Sequence, residues 1–72
     1  MKFPDIIKMR LAEIGMSQTA LADQLGTSRQ NFSNKMSRDS FSMEEVSKIC
    51  HTLDLTIILK HAGGEYIIDY EK

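Results

Sequence analysis

Apolar residues recur with a helical period over the first three quarters of the chain and then switch to alternation. Ile7, Leu11 and Ile14 fall at i, i+4 and i+7, the stripe of an amphipathic helix. Pro4 and Asp5 suit its first turn. Proline has no amide hydrogen to leave unpaired there, and a carboxylate meets the positive end of the helix dipole. Gly15 supplies a left-handed stop. Ser17 caps a second helix that runs through Leu25, with Leu21 and Leu25 inward, Ala22 keeping one contact small and Gly26 ending it. Thr27 or Ser28 caps a third helix almost at once, and this one extends to about Met36. Two short helices joined by so tight a turn must cross steeply.

Ser42 and Glu45 form an S-x-x-E capping box for a fourth helix, with Phe41 and Val46 placed as a hydrophobic staple. Val46, Ile49, Cys50 and Leu53 give its apolar stripe, so Cys50 reads as a small core hydrophobe rather than a nucleophile. Beyond Leu53 the period becomes two: Leu55, Ile57 and Leu59 share one face of a strand, and Thr56, Ile58 and Lys60 the other. Gly63-Gly64 predicts a two-residue hairpin turn, with Glu65 to Tyr70 returning. That register sets Leu59 opposite Ile68 and Ile57 opposite Tyr70. The expected fold is mostly α: four helices followed by a two-stranded antiparallel hairpin, a single domain over 1–72 with 54–72 as the hairpin extension.

Seventy-two residues at 42% hydrophobic hold one small core. A chain this short buries only about 60% of its unfolded surface, so self-association is expected to add burial. One cysteine excludes an intramolecular disulfide and fits a reducing cytosol. Met1 to Asp5 lack the apolar run of a signal peptide, and the run from Leu55 to Leu59 is too short to span a bilayer. A cytoplasmic protein without membrane contact is expected. The net charge of −1 conceals a division: residues 1–38 carry six basic against three acidic side chains, residues 39–72 three against seven. An anionic partner would meet one face only.

The third helix is built to read something polar. With Phe32 inward, about 100° per residue sets Gln30, Asn34 and Ser37 on the opposite side, flanked by Asn31 and Ser33, with Arg29 in the first turn. A helix needing only solubility more often carries Lys and Glu at such positions. Arginine pairs in bidentate fashion with guanine, and asparagine or glutamine with adenine, at major-groove base edges.

The run Gln18-Thr19-Ala20-Leu21-Ala22-Asp23-Gln24-Leu25-Gly26-Thr27-Ser28-Arg29-Gln30-Asn31-Phe32 resembles the helix-turn-helix of phage Cro/C1-type repressors, the xenobiotic-response-element family of bacterial regulators. Gln18, the Leu21-Ala22 pair, Leu25, Gly26 and Phe32 carry the resemblance, which extends over roughly Ile6 to Leu53. The segments Ser28 to Lys35 and Arg38 to Ser42 also look like small regulators of Gram-positive bacteria and their mobile elements. The resemblance implies that Arg29, Gln30 and Asn34, with Ser33 and Asn31 beside them, read bases. It implies that Gln18 and Ser28, each at a helix N-terminus, anchor phosphates, with Lys35 and Arg38 as further backbone contacts. Many family members pair an arginine on the first helix with a glutamate late in the third; Leu11 and Met36 stand at the corresponding positions. Lys35 stands where the family usually has an apolar residue, so either its stem lies along the core with its head outward or the helix is rotated slightly. The following loop, often basic in the family, contains Asp39, so weak non-specific binding and a shallow salt dependence are expected.

A lone hairpin is marginal in water, so this one is expected to pack on the helices. Ile58 and Ile67 then remain on its second face, where they either cover the fourth helix or, with Tyr66 and Tyr70, form the candidate dimer interface. A symmetric dimer would set two recognition helices about 34 Å apart on duplex DNA. The expected function is therefore sequence-specific double-stranded DNA binding by a transcriptional regulator, acting as a homodimer, without catalysis. An antitoxin-like module whose acidic hairpin grips a partner protein is the alternative. No cofactor, metal or small-molecule effector is expected: Cys50 and His51 point about 100° apart on a helix, and His61 has no ligand cluster at metal-binding spacing.

Overall fold

A computed structural model describes residues 1–68; Tyr70, with its expected pairing and interface role, lies outside the described residues. Four helices, α1 (Phe3–Ile14), α2 (Gln18–Leu25), α3 (Arg29–Arg38) and α4 (Met43–Thr52), precede two strands, β1 (Ile57–His61) and β2 (Gly64–Ile68). The mostly helical fold with a terminal hairpin is as the sequence pattern predicts.

Local chemistry sets the helix ends. The hydroxyls of Ser17, Ser28 and Ser42 accept from the N–H groups of Ala20, Asn31 and Glu45 at 3.0, 3.0 and 3.1 Å. Each satisfies a donor that the first turn of its helix would leave unpaired. Gly15 and Gly26 end α1 and α2 in the left-handed conformation, at φ 71° and 73°. The helix α1 opens at Phe3, ahead of the expected Pro4 or Asp5, where the Asp5 carboxylate accepts from the Lys2 N–H at 3.2 Å. The helix α3 continues past the expected Met36 to Arg38. Asp39 stops it at φ 53°, and the Lys35 carbonyl accepts from the N–H groups of both Asp39 and Ser40. Aspartate is among the few side chains that tolerate this conformation.

Among the described residues the buried core is supplied by the four helices and the C-cap of the last. Ile7 and Leu11 of α1, Leu21 and Ala22 of α2, Phe32 and Met36 of α3, and Ile49 with Leu53 from α4 and its C-cap make one buried cluster. Leu11 and Met36 are thus both buried as hydrophobes. Phe3 and Phe41 close one end of the cluster with rings 5.7 Å apart, edge to face. Arg10 fastens the first helix to the last: its Nε donates to the Leu53 carbonyl at 2.8 Å, and its Nη1 pairs with Glu13 at 3.1 Å.

The hairpin departs from expectation in two respects. Its loop is Ala62-Gly63 rather than Gly63-Gly64, so Ile57 pairs with Ile68, Ile58 with Ile67, Leu59 with Tyr66 and Lys60 with Glu65. This register sets apolar against apolar and opposite charges face to face. The expected register would have placed Lys60 against Ile67. The His61 Nδ1 accepts from the Gly63 N–H at 3.2 Å, and the His61 ring stacks on Tyr66 at 5.2 Å. The second departure concerns packing. Among the described strand residues only Ile57 and Ile68, at the root of the ribbon, are half-buried, and none belongs to the core. The rest projects, leaving Ile58 (46% exposed) and Ile67 (62%) on one face and Leu59 (53%) and Tyr66 (67%) on the other.

Candidate nucleic-acid interface

The helix α3 is anchored on one side and bare on the other. Phe32 and Met36 are buried, and the Phe32 ring lies 5.9 Å from that of Phe41. Gln30, Asn34 and Ser37 are exposed on the far side, and Arg29, Asn31 and Ser33 are exposed beside them. The Gln30 Nε2 donates to the Asn34 Oδ1 at 3.2 Å, one turn along the helix. That single bond leaves the Gln30 carbonyl, one of its amide hydrogens and the whole Asn34 NH₂ group unused. Two linked amides therefore present both donors and acceptors to whatever lies against this face. Arg29 forms no ion pair among the described residues.

The electrostatics of the helix ends separate the four helices into two kinds. The first turns of α1 and α4 carry Asp5 and Glu44 with Glu45, which neutralise the positive pole of each helix. Those of α2 and α3 carry no acidic residue. Gln18 and Ser28, the candidate phosphate anchors, are exposed at these two uncompensated ends. The Ser28 oxygen already accepts from Asn31, but its hydroxyl hydrogen is free to donate. Sequence reasoning did not use this asymmetry, although it is visible as the absence of Asp and Glu from residues 18–21 and 28–32.

The two further cations are placed differently from one another. Arg38 is exposed in the last turn of α3. Lys35 is half-buried, three residues on from Phe32, and its Nζ is ion-paired with the Glu45 Oε2 of α4. Its head is thus held against α4 rather than pointing freely outward. The other oxygen of Glu45 accepts from the Ser42 N–H at 2.8 Å, which completes the capping box. This second duty of Glu45 joins two residues ten apart across a loop and has no signature in local spacing.

Cys50 is buried in α4, and loss of hydration pushes its thiol above the ordinary value of 9.0. Among the described residues no group of three His, Cys, Asp or Glu side chains could hold a metal ion. No described helix is long and apolar enough to cross a membrane.

The family model described as the bacteriophage CI repressor helix-turn-helix domain matches residues 5–59, about three quarters of the chain. The matched segment covers most of α1, all of α2, α3 and α4, and the start of β1. No curated protein and no solved structure matches the chain.

Proposed function

The chain belongs to the bacteriophage CI repressor helix-turn-helix family and is a DNA-binding regulator; from that premise we propose that α3 reads base edges in the major groove of a specific operator. One observation carries this reading: the face of α3 opposite Phe32 and Met36 is exposed and holds uncharged hydrogen-bonding side chains. Arg29, Gln30 and Asn34 read bases, with Asn31 and Ser33 at the margins of the contact. Gln18 and Ser28 hold phosphates at the acid-free ends of α2 and α3, and Arg38 adds a cation farther along the backbone.

The operator is two-fold, and a homodimer built on the hairpin binds it. Apolar side chains on both faces of a projecting two-stranded ribbon support this, because such a ribbon is marginal in water until something covers it. Selection of bound sequences from a random pool of duplexes tests both parts. A palindrome with half-sites about one helical turn apart is the expected result. Enrichment of no sequence over the starting pool would overturn base reading. A single unrepeated half-site would overturn the two-fold dimer. The exposed Leu59 and Tyr66 would equally suit a protein partner of the antitoxin kind; a second protein that co-purifies in fixed ratio while the chain shifts no duplex would favour that reading.

A further inference from the structure

Lys35 is the one cation of α3 that a partner within the described chain holds, and its surroundings assign it a task other than touching phosphate. Its backbone carbonyl accepts from the Asp39 and Ser40 N–H groups, so it closes α3. Its ammonium reaches past the intervening loop to the Glu45 Oε2 in the first turn of α4. Glu45 is itself immobilised, because its Oε1 accepts from the Ser42 N–H at 2.8 Å while its own N–H donates to the Ser42 Oγ at 3.1 Å. A carboxylate fixed by backbone contact is a pre-ordered acceptor, so only the lysine loses side-chain freedom when the pair forms. The two ends of the loop from Asp39 to Ser42 are thereby clamped through one residue.

We propose that Lys35 is a positioning residue: gripped by Glu45, it sets the tilt of α3 against α4, and DNA binding depends on the pair although neither side chain contacts DNA. This rests on α3 being the reading helix. Phe32 and Met36 seat α3 on the core along one line, and apolar contacts on a single line permit rocking about it. The Lys35–Glu45 pair lies to one side of that line and resists the rocking. Base readout by short side chains such as Asn34 requires the helix at a fixed depth, so a small change of tilt loses contacts that the residues themselves retain.

Salt-dependent binding to the selected duplex distinguishes positioning from phosphate contact. Lys35→Met should lower specific affinity about three- to tenfold while the slope of log affinity against log salt stays at its wild-type value. A lost phosphate contact would reduce that slope by about 0.9. Glu45→Gln keeps an acceptor for the capping box but removes the charge. In the positioning role it lowers affinity as Lys35→Met does, and the double variant is no weaker than either single one. A rise in affinity with a steeper slope in Glu45→Gln would mean that Lys35 had been freed to reach phosphate, and would overturn the proposal. A second measurement needs no DNA: both single variants should speed exchange of the Ser40 amide, which donates to the Lys35 carbonyl, several-fold relative to amides of α1. Unchanged Ser40 exchange in both would also overturn it. Should the wild-type chain bind no duplex, the base-reading role of α3 fails, and the exchange experiment still decides whether the pair clamps the helix.

Discussion

Arg10, near the middle of α1, donates from Nε to the carbonyl oxygen of Leu53, 43 residues away and 2.8 Å distant. Leu53 is the C-cap of α4, where carbonyls have no partners within the helix and the dipole is negative. The guanidinium supplies both the missing donor and the opposite charge. Arg10→Met, which keeps the apolar stem, should cost about 1–2 kcal/mol. In a domain of this size that lowers the melting temperature by roughly 4–8 °C per kcal/mol. Thermal unfolding checks it, and a variant as stable as the wild type would show that the bond adds nothing net.

The cap at Ser28 serves stability and, in the proposed complex, phosphate binding. Ser28→Ala should cost about 1 kcal/mol of stability, and Ser28→Gly only a few tenths, as roughly expected for N-caps. Both remove the hydroxyl and should weaken DNA binding to the same extent. If affinity instead follows stability across the two variants, the hydroxyl makes no phosphate contact.

Gln30 and Asn34 present coupled amides, so their effects on base preference should be non-additive. Gln30→Ala or Asn34→Ala should each change discrimination at particular operator positions by about 1–3 kcal/mol, with an unchanged circular dichroism spectrum. Arg29→Ala should act in the same way at a guanine. A uniform loss on every sequence tested would reassign these side chains to the backbone of the duplex.

In the proposed homodimer, replacing Ile58 or Ile67 by lysine should yield monomers with intact helices, since the two residues pair directly across the ribbon and both are exposed. Sedimentation velocity reads the outcome. A mass that does not differ from that of the wild type would remove the ribbon from the dimer.

Burial raises the Cys50 thiol above 9.0 in the folded state, so the native protein binds the proton more tightly than the unfolded chain does. This contribution to stability is fully present well below the ordinary thiol value and is lost as pH rises through the folded value. Chemical unfolding from pH 8 to 10 should show a fall in stability that a Cys50→Ala variant lacks. Alkylation of native Cys50 at pH 8 should be far slower than in denaturant. Rapid native labelling would mean that α4 opens locally.

The legible parts of this molecule are those fixed by neighbours in sequence. Ser17 and Ser42 cap the helices foreseen for them, Ser28 rather than Thr27 caps the third, Gly15 and Gly26 stop the first two, and the stripes through Ile7, Leu21, Phe32 and Ile49 converge in the core, although Ile14 at the end of the first is exposed. The bare face of α3 follows from the same geometry, because placing Phe32 inward determines where Gln30 and Asn34 must stand. What escaped was decided across distance. Local turn preference favoured Gly63-Gly64, but the gain from pairing Ile57 with Ile68 and Lys60 with Glu65 moved the loop by one residue. The contacts of Arg10 with Leu53 and of Lys35 with Glu45 join elements that only the folded chain brings together. The projecting ribbon escaped because a strand's alternation tells which residues share a face, and not whether anything lies against it.

No strand residue enters the buried cluster, and this separates two kinds of inheritable change. In the proposed homodimer, substitutions on the ribbon would alter the choice of companion without disturbing the proposed reading face, and substitutions on α3 would do the reverse. On that proposal, a lineage carrying this domain would diverge in operator preference and in pairing rules at independent rates. Closely related copies in one cell could in this way stop forming mixed pairs before their recognition sites drift apart.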